Sequence, residues 1–553
     1  MNAHRVAFSP SGRSALVPDG TTLLEAAQLA SEPLRAECGG RGACGRCLVR
    51  IVKGQIPDYR ILHLESGFPH ALACLTPVHG PITALPLVEA QLPQLFSRDR
   101  NTGLAPLQAW APWPLALEPI IESRGDEDLG AAVDIGTTTL RLLLIRLSDG
   151  VVVGEAGAYN PQISLGADVI SRIVAAEKGH LQALAVSVRR AVGSLIDQAA
   201  EAGQAEVGHI RAYVVAGNLT MIHLLLGADP SGIRRVPSQP QALAFPPVRA
   251  SQLGWPGGAH APVHSLPAAG GWVGGDILAG AVRAGFSWSQ DGLWLYVDLG
   301  TNGEIVLGGA DFALACACSA GPAFEGVGIR CGMRADRGAA DGASIDVEKG
   351  TLTVSVVGGG RVRGVCGSGL IALADSLFRA GWIDRSGRFT NCLPAQLRIE
   401  GKWGAAIKLS ESGKIGLWER DLASLVRAKA AIFAGIRSLV GALASDALPI
   451  ERVIVSGNFG RFLNLPGALG IGLLPSMPIS RYSYVNNGSL EGAALALLSR
   501  RFWEEVGSYL NRVTYVDLAD LHGYLDEFVG ASFLPHTNPE LLRLGRARAT
   551  ELL

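Results

Sequence analysis

Two short motifs occur twice along this chain, in the same order each time. Residues 132–138 (AVDIGTT) correspond to residues 296–302 (YVDLGTN). Residues 213–218 (YVVAGN) likewise correspond to residues 453–458 (VIVSGN). The interval between the first and second motif is much longer in the second copy, which therefore carries a large insertion. The repeat predicts a duplicated fold whose two halves face each other.

The first repeated motif has the chemistry of a phosphate-binding turn. In each copy an Asp ends an apolar run, and Gly-Thr leads towards the next run, which is 140–145 in the first copy. Such a turn lets backbone N–H groups and hydroxyls surround phosphate oxygens, while the carboxylate can hold magnesium through water. One copy alone would be explained equally well as an ordinary hairpin turn. Two copies, the second followed by Asn302, Gly303 and Glu304, favour one nucleotide site built from both.

Paired hairpins of this kind resemble the actin, sugar-kinase and chaperone ATPase fold, in which two hairpins close on one triphosphate. Amphipathic patterns at 181–202, 366–380 and 421–444 alternate with β-branched runs ending in Gly, as is typical of α/β layers. We therefore expect residues 129–553 to form an α/β actin/sugar-kinase-like (ASKHA) duplicated ATPase domain in two halves. Residues 453–460 would be the strand and glycine-rich turn beside the adenosine.

That resemblance assigns roles to individual residues. Asp134 and Asp298 would be the catalytic pair that organises magnesium and water. The residues expected to bind ATP are Gly136, Thr137, Thr138, Thr139, Gly300, Thr301, Asn302, Gly303, Glu304, Gly457, Asn458 and Gly460.

Four of the nine cysteines lie close together near the start of the chain. Cys38, Cys44, Cys47 and Cys74 have the spacing C-x5-C-x2-C-x26-C, and glycines surround the first three. Four thiolates hold a 2Fe-2S cluster, and glycines permit the tight loop that brings three sulfurs together. The alternative is zinc, whose structural sites usually pair two C-x2-C knuckles, whereas only Cys44 and Cys47 form one here. The spacing favours the 2Fe-2S cluster.

The cysteine block 37–47 resembles the 2Fe-2S ferredoxins, with five residues rather than the plant-type four in the first gap. Strand-like runs and a short helical pattern at 22–30 accompany it. We therefore expect an α+β 2Fe-2S ferredoxin-like domain over residues 1–85. Residues 86–128, rich in Leu, Pro and Trp, would be an ordered linker lying on a surface.

Charge and hydropathy exclude several classes of function. The 48 Lys and Arg nearly cancel the 49 Asp and Glu, without the like-charge blocks of nucleic-acid or membrane-surface binding. The first residues lack the apolar core of a secretory signal, and charged residues, Gly or Pro interrupt every long apolar stretch. We expect a cytoplasmic protein that binds neither nucleic acid nor membrane.

Several residues that could belong to a functional site are explained as well or better by core packing. Cys316, Cys318, Cys331 and Cys366 are interpreted as core residues rather than a second metal site. His223 is expected to be a hydrogen-bonded core histidine. Residues 364–370 (GVCGSGL) could bring N–H groups to a phosphate or serve close helix packing, and the sequence favours neither.

Taken together, the chain resembles the reductive activators of corrinoid enzymes, which fuse a 2Fe-2S ferredoxin to an ASKHA-type ATPase. Further motifs carry that resemblance: residues 160–162 (NPQ), 166–172 (GADVISR), 274–276 (GGD), 318–326 (CSAGPAFEG) and 364–370. It differs from some longer relatives, which carry a further small domain between the linker and the ATPase, because the roughly 40 linker residues here leave no room for that domain.

The resemblance implies an ATP-dependent reductive activation. One electron would pass from the 2Fe-2S cluster to a corrinoid (cobalamin-binding) protein of a methyltransferase system, converting inactive Co(II) to Co(I), with ATP and Mg2+ as further cofactors. An upstream electron donor would be a second partner, and a homodimer is left open. The alternatives are an electron activator of a radical dehydratase or aryl-CoA reductase, a small-molecule kinase, and a ferredoxin carrier with a degenerate ATPase.

Overall fold

The structure is a computed structural model. It describes residues 3–30, 32, 34, 47–61, 63–65, 68–87, 118–122, 125–258, 260–289, 292–326, 328–401, 404–443, 449–457 and 463–543. Across these ranges, the helices are all too short or too polar to serve as a membrane span.

The N-terminal part of the chain forms a mixed six-stranded sheet with one helix. Its strands are β1 (Ala3–Phe8), β2 (Ser14–Pro18), β3 (Leu48–Lys53), β4 (His63–Glu65), β5 (Phe68–Leu72) and β6 (Ile82–Pro86), in the spatial order β2-β1-β6-β3-β5-β4. Helix α1 (Leu23–Leu29) begins at a capping box between Thr22 and Glu25. One face of this helix packs on the sheet, with Leu23 against the core that contains Val6 and Phe8. The predicted α+β fold is confirmed.

The first half of the large domain is built on a second six-stranded sheet. Its strands are β7 (Leu129–Ile135), β8 (Thr139–Arg146), β9 (Val152–Tyr159), β10 (Ile210–Gly217), β11 (Val248–Arg249) and β12 (Pro262–Ser265), in the order β11-β12-β10-β7-β8-β9. Its helices are α2 (Val169–Ala175), α3 (Leu181–Gly203), α4 (Leu219–Leu226) and α5 (Gly275–Arg283).

The second half repeats this plan with an insertion. Its first strands are β13 (Leu293–Leu299), β14 (Gly303–Gly308) and β15 (Ala313–Cys318). The insertion contributes β16 (Ala339–Asp346), β17 (Thr351–Val356), β18 (Gly364–Val365), α6 (Gly367–Arg379), β19 (Arg398–Gly401), β20 (Gly404–Lys408) and β21 (Gly416–Trp418). Helix α7 (Glu419–Ala442) follows and packs on β14 and β15, as α3 packs on β8 and β9. The remaining elements are β22 (Ile450–Ser456), α8 (Leu465–Gly470), β23 (Tyr482–Tyr484), α9 (Gly488–Leu498), α10 (Arg500–Leu510), β24 (Val513–Tyr515) and α11 (Tyr524–Ala531).

The pairing of the strands confirms the duplication. The third sheet has the order β23-β22-β13-β14-β15-β24, and two three-stranded sheets lie in the insertion. In both large sheets the motif strand, β7 or β13, pairs antiparallel with the next strand and parallel with the strand of the second motif. Asp134 lies opposite Ala216 and Asp298 opposite Ser456, so the two aspartates occupy equivalent positions.

Helices α5 and α9 lie in the core between the two large sheets. One hydrophobic cluster contains Val214 of the first sheet and Ile454 of the second, together with Leu278 of α5 and Leu495 of α9. All eleven residues of α9 are buried, including Glu491, which forms an ion pair with Arg283 of α5. The packing brings the ends of β7 and β13, and hence the two motif turns, to one cleft.

The predicted amphipathic segments are helices with nearly the predicted bounds, namely α3, α6 and α7. The domain boundaries at residues 85 and 128 stay predictions. Most of the predicted linker, from residue 88 to residue 117, lies outside the described residues.

Candidate functional site

The two motif turns line one cleft between the halves of the large domain. Of the residues predicted to act there, those that line it are Asp134, Gly136, Thr137, Thr138, Thr139, Asp298, Gly300, Thr301, Asn302, Glu304 and Gly457. Gly303 is not part of this lining, because it lies against Cys318 and Ile432. Asn458 and Gly460 lie outside the described residues.

Glycine is required at two positions of the cleft. At Gly136 a Cβ atom would lie 2.7 Å from the carbonyl oxygen of Thr139. Gly457 has a φ of 98°, and a Cβ there would lie 2.6 Å from the carbonyl oxygen of Leu299. A side chain at either position would collide with the backbone of its own half, so both turns depend on glycine for their close approach.

The two turns touch each other across the cleft. The hydroxyl oxygens of Thr138 and Thr301 are 2.8 Å apart and share a hydrogen bond. The Thr301 hydroxyl also lies 3.1 Å from the carboxylate oxygen Oε1 of Glu325. Hydroxyls from both halves thus converge on one point, where they could bind the oxygens of one phosphate group.

Side chains behind the first turn hold its backbone in place. The Asn160 amide donates to the carbonyl oxygen of Gly136 (2.9 Å), and the Arg172 guanidinium donates to that of Thr137 (2.6 Å). The Asn218 amide donates to the Thr137 hydroxyl (3.1 Å). Arg172 is fully buried, which lowers its pKa to about 9, and it also donates to the carbonyl oxygen of Gly166. A buried cation that binds carbonyl oxygens fixes the shape of this turn.

Asp134 is held by the start of α9, far along the chain. Its Oδ2 accepts a hydrogen bond from the Asn487 amide (2.9 Å), and its Oδ1 accepts one from the Ser489 hydroxyl (2.7 Å). Burial raises the pKa of Asp134, whereas these two hydrogen bonds and the charge of Arg141 oppose the rise. The carboxylate is thereby fixed in orientation at the floor of the cleft.

Further carboxyl groups surround Asp134. Burial raises the pKa of Asp276 to about 7 and that of Asp298 to about 6, and repulsion by Asp134 adds to both shifts. Burial also raises the pKa of Glu304 well above its usual range, with repulsion from Asp298 and Asp276 adding to it. Buried carboxylates that repel one another are relieved by a cation. The cleft is therefore suited to bind a cation together with an anionic ligand.

The predicted cluster cysteines are described only in part, because Cys38 and Cys44 lie outside the described residues. Cys47 precedes β3, and Cys74 lies in the single helical turn Ala73–Leu75 after β5. Both are buried, and their sulfur atoms are 3.3 Å apart. Since a disulfide requires about 2.0 Å, these are two thiol sulfurs brought together without a covalent bond, as shared ligation would require.

The later cysteines, His223 and residues 364–370 were predicted to have structural roles or left open. Cys316, Cys318 and Cys366 are buried as predicted, whereas Cys331 is half-buried. His223 is fully buried, with Nδ1 2.8 Å from the carbonyl oxygen of Leu219. Residues 364–370 do not line the cleft. A Cβ at Gly369 would lie 1.9 Å from the carbonyl oxygen of Ala340, which supports the close-packing explanation.

Sequence reasoning missed several residues that line the cleft: Asn218, Asp276, Glu325, Asn487 and Ser489. Asn218 ends the first copy of the second motif, and its counterpart Asn458 was selected, so the repeat could have found it. Asp276 follows two glycines at the start of α5. By contrast, no repeat or spacing marks Asn487 and Ser489 as partners of Asp134.

Three protein-family models match consecutive parts of the chain. The model for the 2Fe-2S iron-sulfur cluster binding domain matches residues 6–79. The model for the RACo middle region matches residues 129–289. The model for the C-terminal domain of RACo, the ASKHA domain, matches residues 292–544.

Individual proteins match across most of the chain. The corrinoid activation enzyme RamQ of Eubacterium limosum is 31% identical over 409 residues, which cover 70% of this chain and 68% of RamQ. A solved structure of a reductive activator for corrinoid, iron-sulfur protein is 35% identical, with a TM-score of 0.71. That similarity covers 97% of this chain and 99% of the solved chain.

Proposed function

This chain belongs to the RACo family, and on that premise we propose that it uses ATP to drive one electron from a 2Fe-2S cluster to the cobalt of a corrinoid protein. The reaction converts the inactive Co(II) form of the partner to Co(I), and the chain returns to its oxidised state. A separate one-electron donor must then reduce it again. The partner that we propose is the corrinoid protein of a methyltransferase system, because its Co(I) form is the nucleophile that such a system loses on oxidation.

One observation carries this proposal: a single chain combines the converging thiols of a ferredoxin-like domain with a cleft formed by paired phosphate-binding turns. A kinase has no use for the thiol site, and a simple electron carrier has no use for the cleft. A ferredoxin centre has a potential of roughly −400 mV, which is too high to reduce a typical Co(II) corrinoid unaided. Binding of ATP can supply the missing free energy if one nucleotide state binds the Co(II) partner preferentially.

In the cleft we assign Asp134 and Asp298 to magnesium and its waters. Burial raises the pKa of each, and repulsion by Asp134 adds to the rise at Asp298, which is the charge environment that a cation relieves. In the described part of the chain no three His, Cys, Asp or Glu side chains are arranged to hold a metal ion directly. This fits Mg2+, which keeps several waters and is completed by substrate phosphates.

The phosphates themselves we assign to the two turns. The hydroxyls of Thr137, Thr138 and Thr301 and the side-chain amide of Asn302 supply hydrogen-bond donors in the cleft, whereas the N–H groups of Gly136 and Gly300 are bonded within their own turns. Water attacks the terminal phosphorus and the bond from that phosphorus to the bridging oxygen breaks. ADP leaves with the bridging oxygen, the water oxygen leaves in inorganic phosphate, and the proton that the water loses passes to solvent. Asp298 would orient this water through its half-buried carboxylate.

In the first domain we assign Cys38, Cys44, Cys47 and Cys74 to the cluster. The two thiols that the structure describes, those of Cys47 and Cys74, are buried and adjacent, which suits shared ligation of an iron centre. When bound, the cluster supplies one-electron transfer. The surrounding buried residues, such as Val49 and Ala73, keep the thiols out of water.

The domain limits 1–85, 86–128 and 129–553 belong to the same proposal, as does a cytoplasmic location, where thiols stay reduced. The sequence leaves open whether the chain forms a homodimer. None of these points is needed for the reaction itself.

The test is an anaerobic assay with the full chain. The chemically reduced protein is mixed with a panel of Co(II) corrinoid proteins and with ATP, ADP or no nucleotide, and the absorbance of Co(I) is followed. We expect Co(I) with ATP and one cognate corrinoid protein, which should also stimulate ATP hydrolysis. Equal reduction without nucleotide, or phosphoryl transfer to a small molecule in place of cobalt reduction, would contradict the proposal.

A further inference from the structure

The cleft has a shortage of positive charge. Among the residues that the structure describes around it, five are acidic (Asp134, Asp276, Asp298, Glu304 and Glu325) and none is Lys or Arg. A triphosphate adds further negative charge to this site. One magnesium ion neutralises only part of the total, so an additional cation from the protein would favour phosphate binding here.

The segment that follows β15 reaches the cleft from the second half. It contains the single helical turn Pro322–Glu325, whose last residue accepts the hydrogen bond of Thr301 through Oε1. The second carboxylate oxygen of Glu325, Oε2, is buried and has no hydrogen-bond partner among the described residues. The chain thus directs a buried acceptor, which still needs a donor, to the place where the two turns meet.

Arg334 lies a few residues further along this segment and crosses to the first half. Its guanidinium carbon is 4.1 Å from the centroid of the Tyr159 ring. Tyr159 ends β9 and lies opposite Thr139, the residue that closes the first motif turn. A cation carried by the second half is therefore held against the first half beside the phosphate-binding turn, an arrangement in which arginine gains from stacking on an aromatic face.

The charge of Arg334 reaches the cleft. It lowers the pKa of Glu325 and so opposes the rise that burial causes there. Arg334 is half-exposed, and its described contact is the Tyr159 ring rather than an ion pair. Its guanidinium N–H donors are accordingly available to a ligand that enters the cleft.

Arg141 is the other cation near these acids, and it differs in position. It lies opposite Asp134 in the pairing of β7 with β8 and is only 7% exposed. Burial lowers its pKa to about 10, and the charge of Asp134 opposes that fall. Arg141 is thus part of the strand pairing behind the turn, whereas Arg334 is half-exposed and stacks on Tyr159 beside the turn.

We propose that Arg334 is a phosphate-binding residue, which donates hydrogen bonds to the terminal phosphate of ATP while Tyr159 supports its guanidinium from the first half. The inference rests on the proposed ATP binding and adds a residue to it. Guanidinium groups bind phosphate oxygens through two parallel hydrogen bonds. Because ADP lacks the terminal phosphate, Arg334 would let the protein distinguish ATP from ADP, and it would do so with a contact that joins the two halves.

Nucleotide affinity measured on the full chain tests this inference without any turnover. Isothermal titration gives the Kd for Mg2+ with a non-hydrolysable ATP analogue and, separately, with ADP. We expect Arg334→Met to weaken binding of the analogue by about 10-fold or more, the usual effect of losing a charged hydrogen bond, and to change ADP binding by less than about 2-fold. Arg334→Lys should lose less than Arg334→Met. Arg337→Met, an exposed arginine of the same segment, is the matched control and should bind both nucleotides like the parent.

Equal weakening for the two nucleotides, or unchanged binding of the analogue, would overturn the role of Arg334. Thermal melts show whether each variant is folded, and Arg334→Gln is judged by the same criterion if Arg334→Met does not fold. A third variant, Tyr159→Leu, removes the supporting ring and should also weaken the analogue selectively. If the parent binds neither nucleotide, the proposed ATP binding itself is wrong. If the parent binds both nucleotides and the Arg334 variant binds them equally well, only the role of Arg334 is wrong.

Discussion

Replacing Asp298 by Asn, a side chain of the same size, tests whether this carboxylate lowers stability while supporting catalysis. Asp298 is the next-to-last residue of β13, where burial is the main cause that raises its pKa to about 6, and repulsion by Asp134 adds to this rise. The interaction with the Ser456 hydroxyl acts in the opposite direction. Asp298→Asn keeps the size and the acceptor oxygen of the side chain but removes the charge.

The raised pKa fixes the direction of the effect on stability. Between about pH 4 and pH 6 the folded chain keeps a proton on Asp298 that the unfolded chain releases, so stability falls as the pH rises through 6. A pKa of about 6 in place of the usual 3.8 corresponds to about 3 kcal/mol, and the partial exposure of the carboxylate reduces this to roughly 1–2 kcal/mol through solvent screening. Nucleotide-free Asp298→Asn should therefore melt at a higher temperature than the parent at pH 8, and at nearly the same temperature at pH 4.

The same change should abolish most of the activity. A group that stabilises charge in the transition state is commonly worth about 3–4 kcal/mol, or 10²–10³-fold in kcat. We expect ATP hydrolysis and Co(I) formation to fall together by that factor, while the visible spectrum of the reduced and oxidised protein stays unchanged. Asp526→Asn, on the exposed face of α11, is the matched control. If Asp298→Asn reduces cobalt as fast as the parent, or melts several degrees lower at pH 8, the reasoning is refuted.

Three further outcomes follow from the same structure. Cys44→Ser should remove iron and sulfide, expected at two of each per chain, and leave ATP affinity unchanged; zinc in the parent by elemental analysis would contradict this. Arg172→Met should weaken ATP binding at least about 10-fold, since two carbonyl oxygens of the first turn and its flank lose a charged donor, and unchanged affinity in a folded variant would disprove the anchoring role. Lys429 is buried, with its pKa lowered to about 7, and donates to the carbonyl oxygens of Phe533 and Pro535. The unfolded chain keeps the Lys429 proton up to about pH 10. The melting temperature of the parent should therefore rise relative to that of Lys429→Met between pH 7 and pH 9. A constant difference between the two melting temperatures over this range would argue against the lowered pKa.

The nucleotide cleft was predictable from sequence where the repeat marks it. Asp134 and Asp298 stand in matching motifs, and the strand pairing places them at equivalent positions. Asn487 and Ser489 were not predictable in the same way, because their partner Asp134 is more than 350 residues away. Polar residues are common at helix starts because they cap the helix. The local sequence therefore does not distinguish a residue that only caps the helix from one that also binds a distant carboxylate.

Glu325 and Arg334 illustrate a second limit. Both were within or beside a motif that the family resemblance covers, yet their chemistry depends on a segment that crosses from one half of the domain to the other. Periodicity identifies the strands and helices on either side of such a segment but carries no information on its path. The contacts with Thr301 and Tyr159 become visible only once the two sheets are packed together.

The position of α9 has a consequence for the synthesis of the protein. This helix fills the space between the two sheets, and its first turn supplies both hydrogen bonds to Asp134. At translation rates of 5–20 residues per second, Ser489 leaves the ribosome roughly 20–70 s after Asp134. Until then the inner face of the first sheet, including Ala132 and Val214, lacks its covering helix. The nascent first half therefore depends on its own later sequence or on chaperones for protection. The described core residues of the N-terminal sheet, by contrast, all lie between Val6 and Ala84, so that sheet can fold while the rest is still being made.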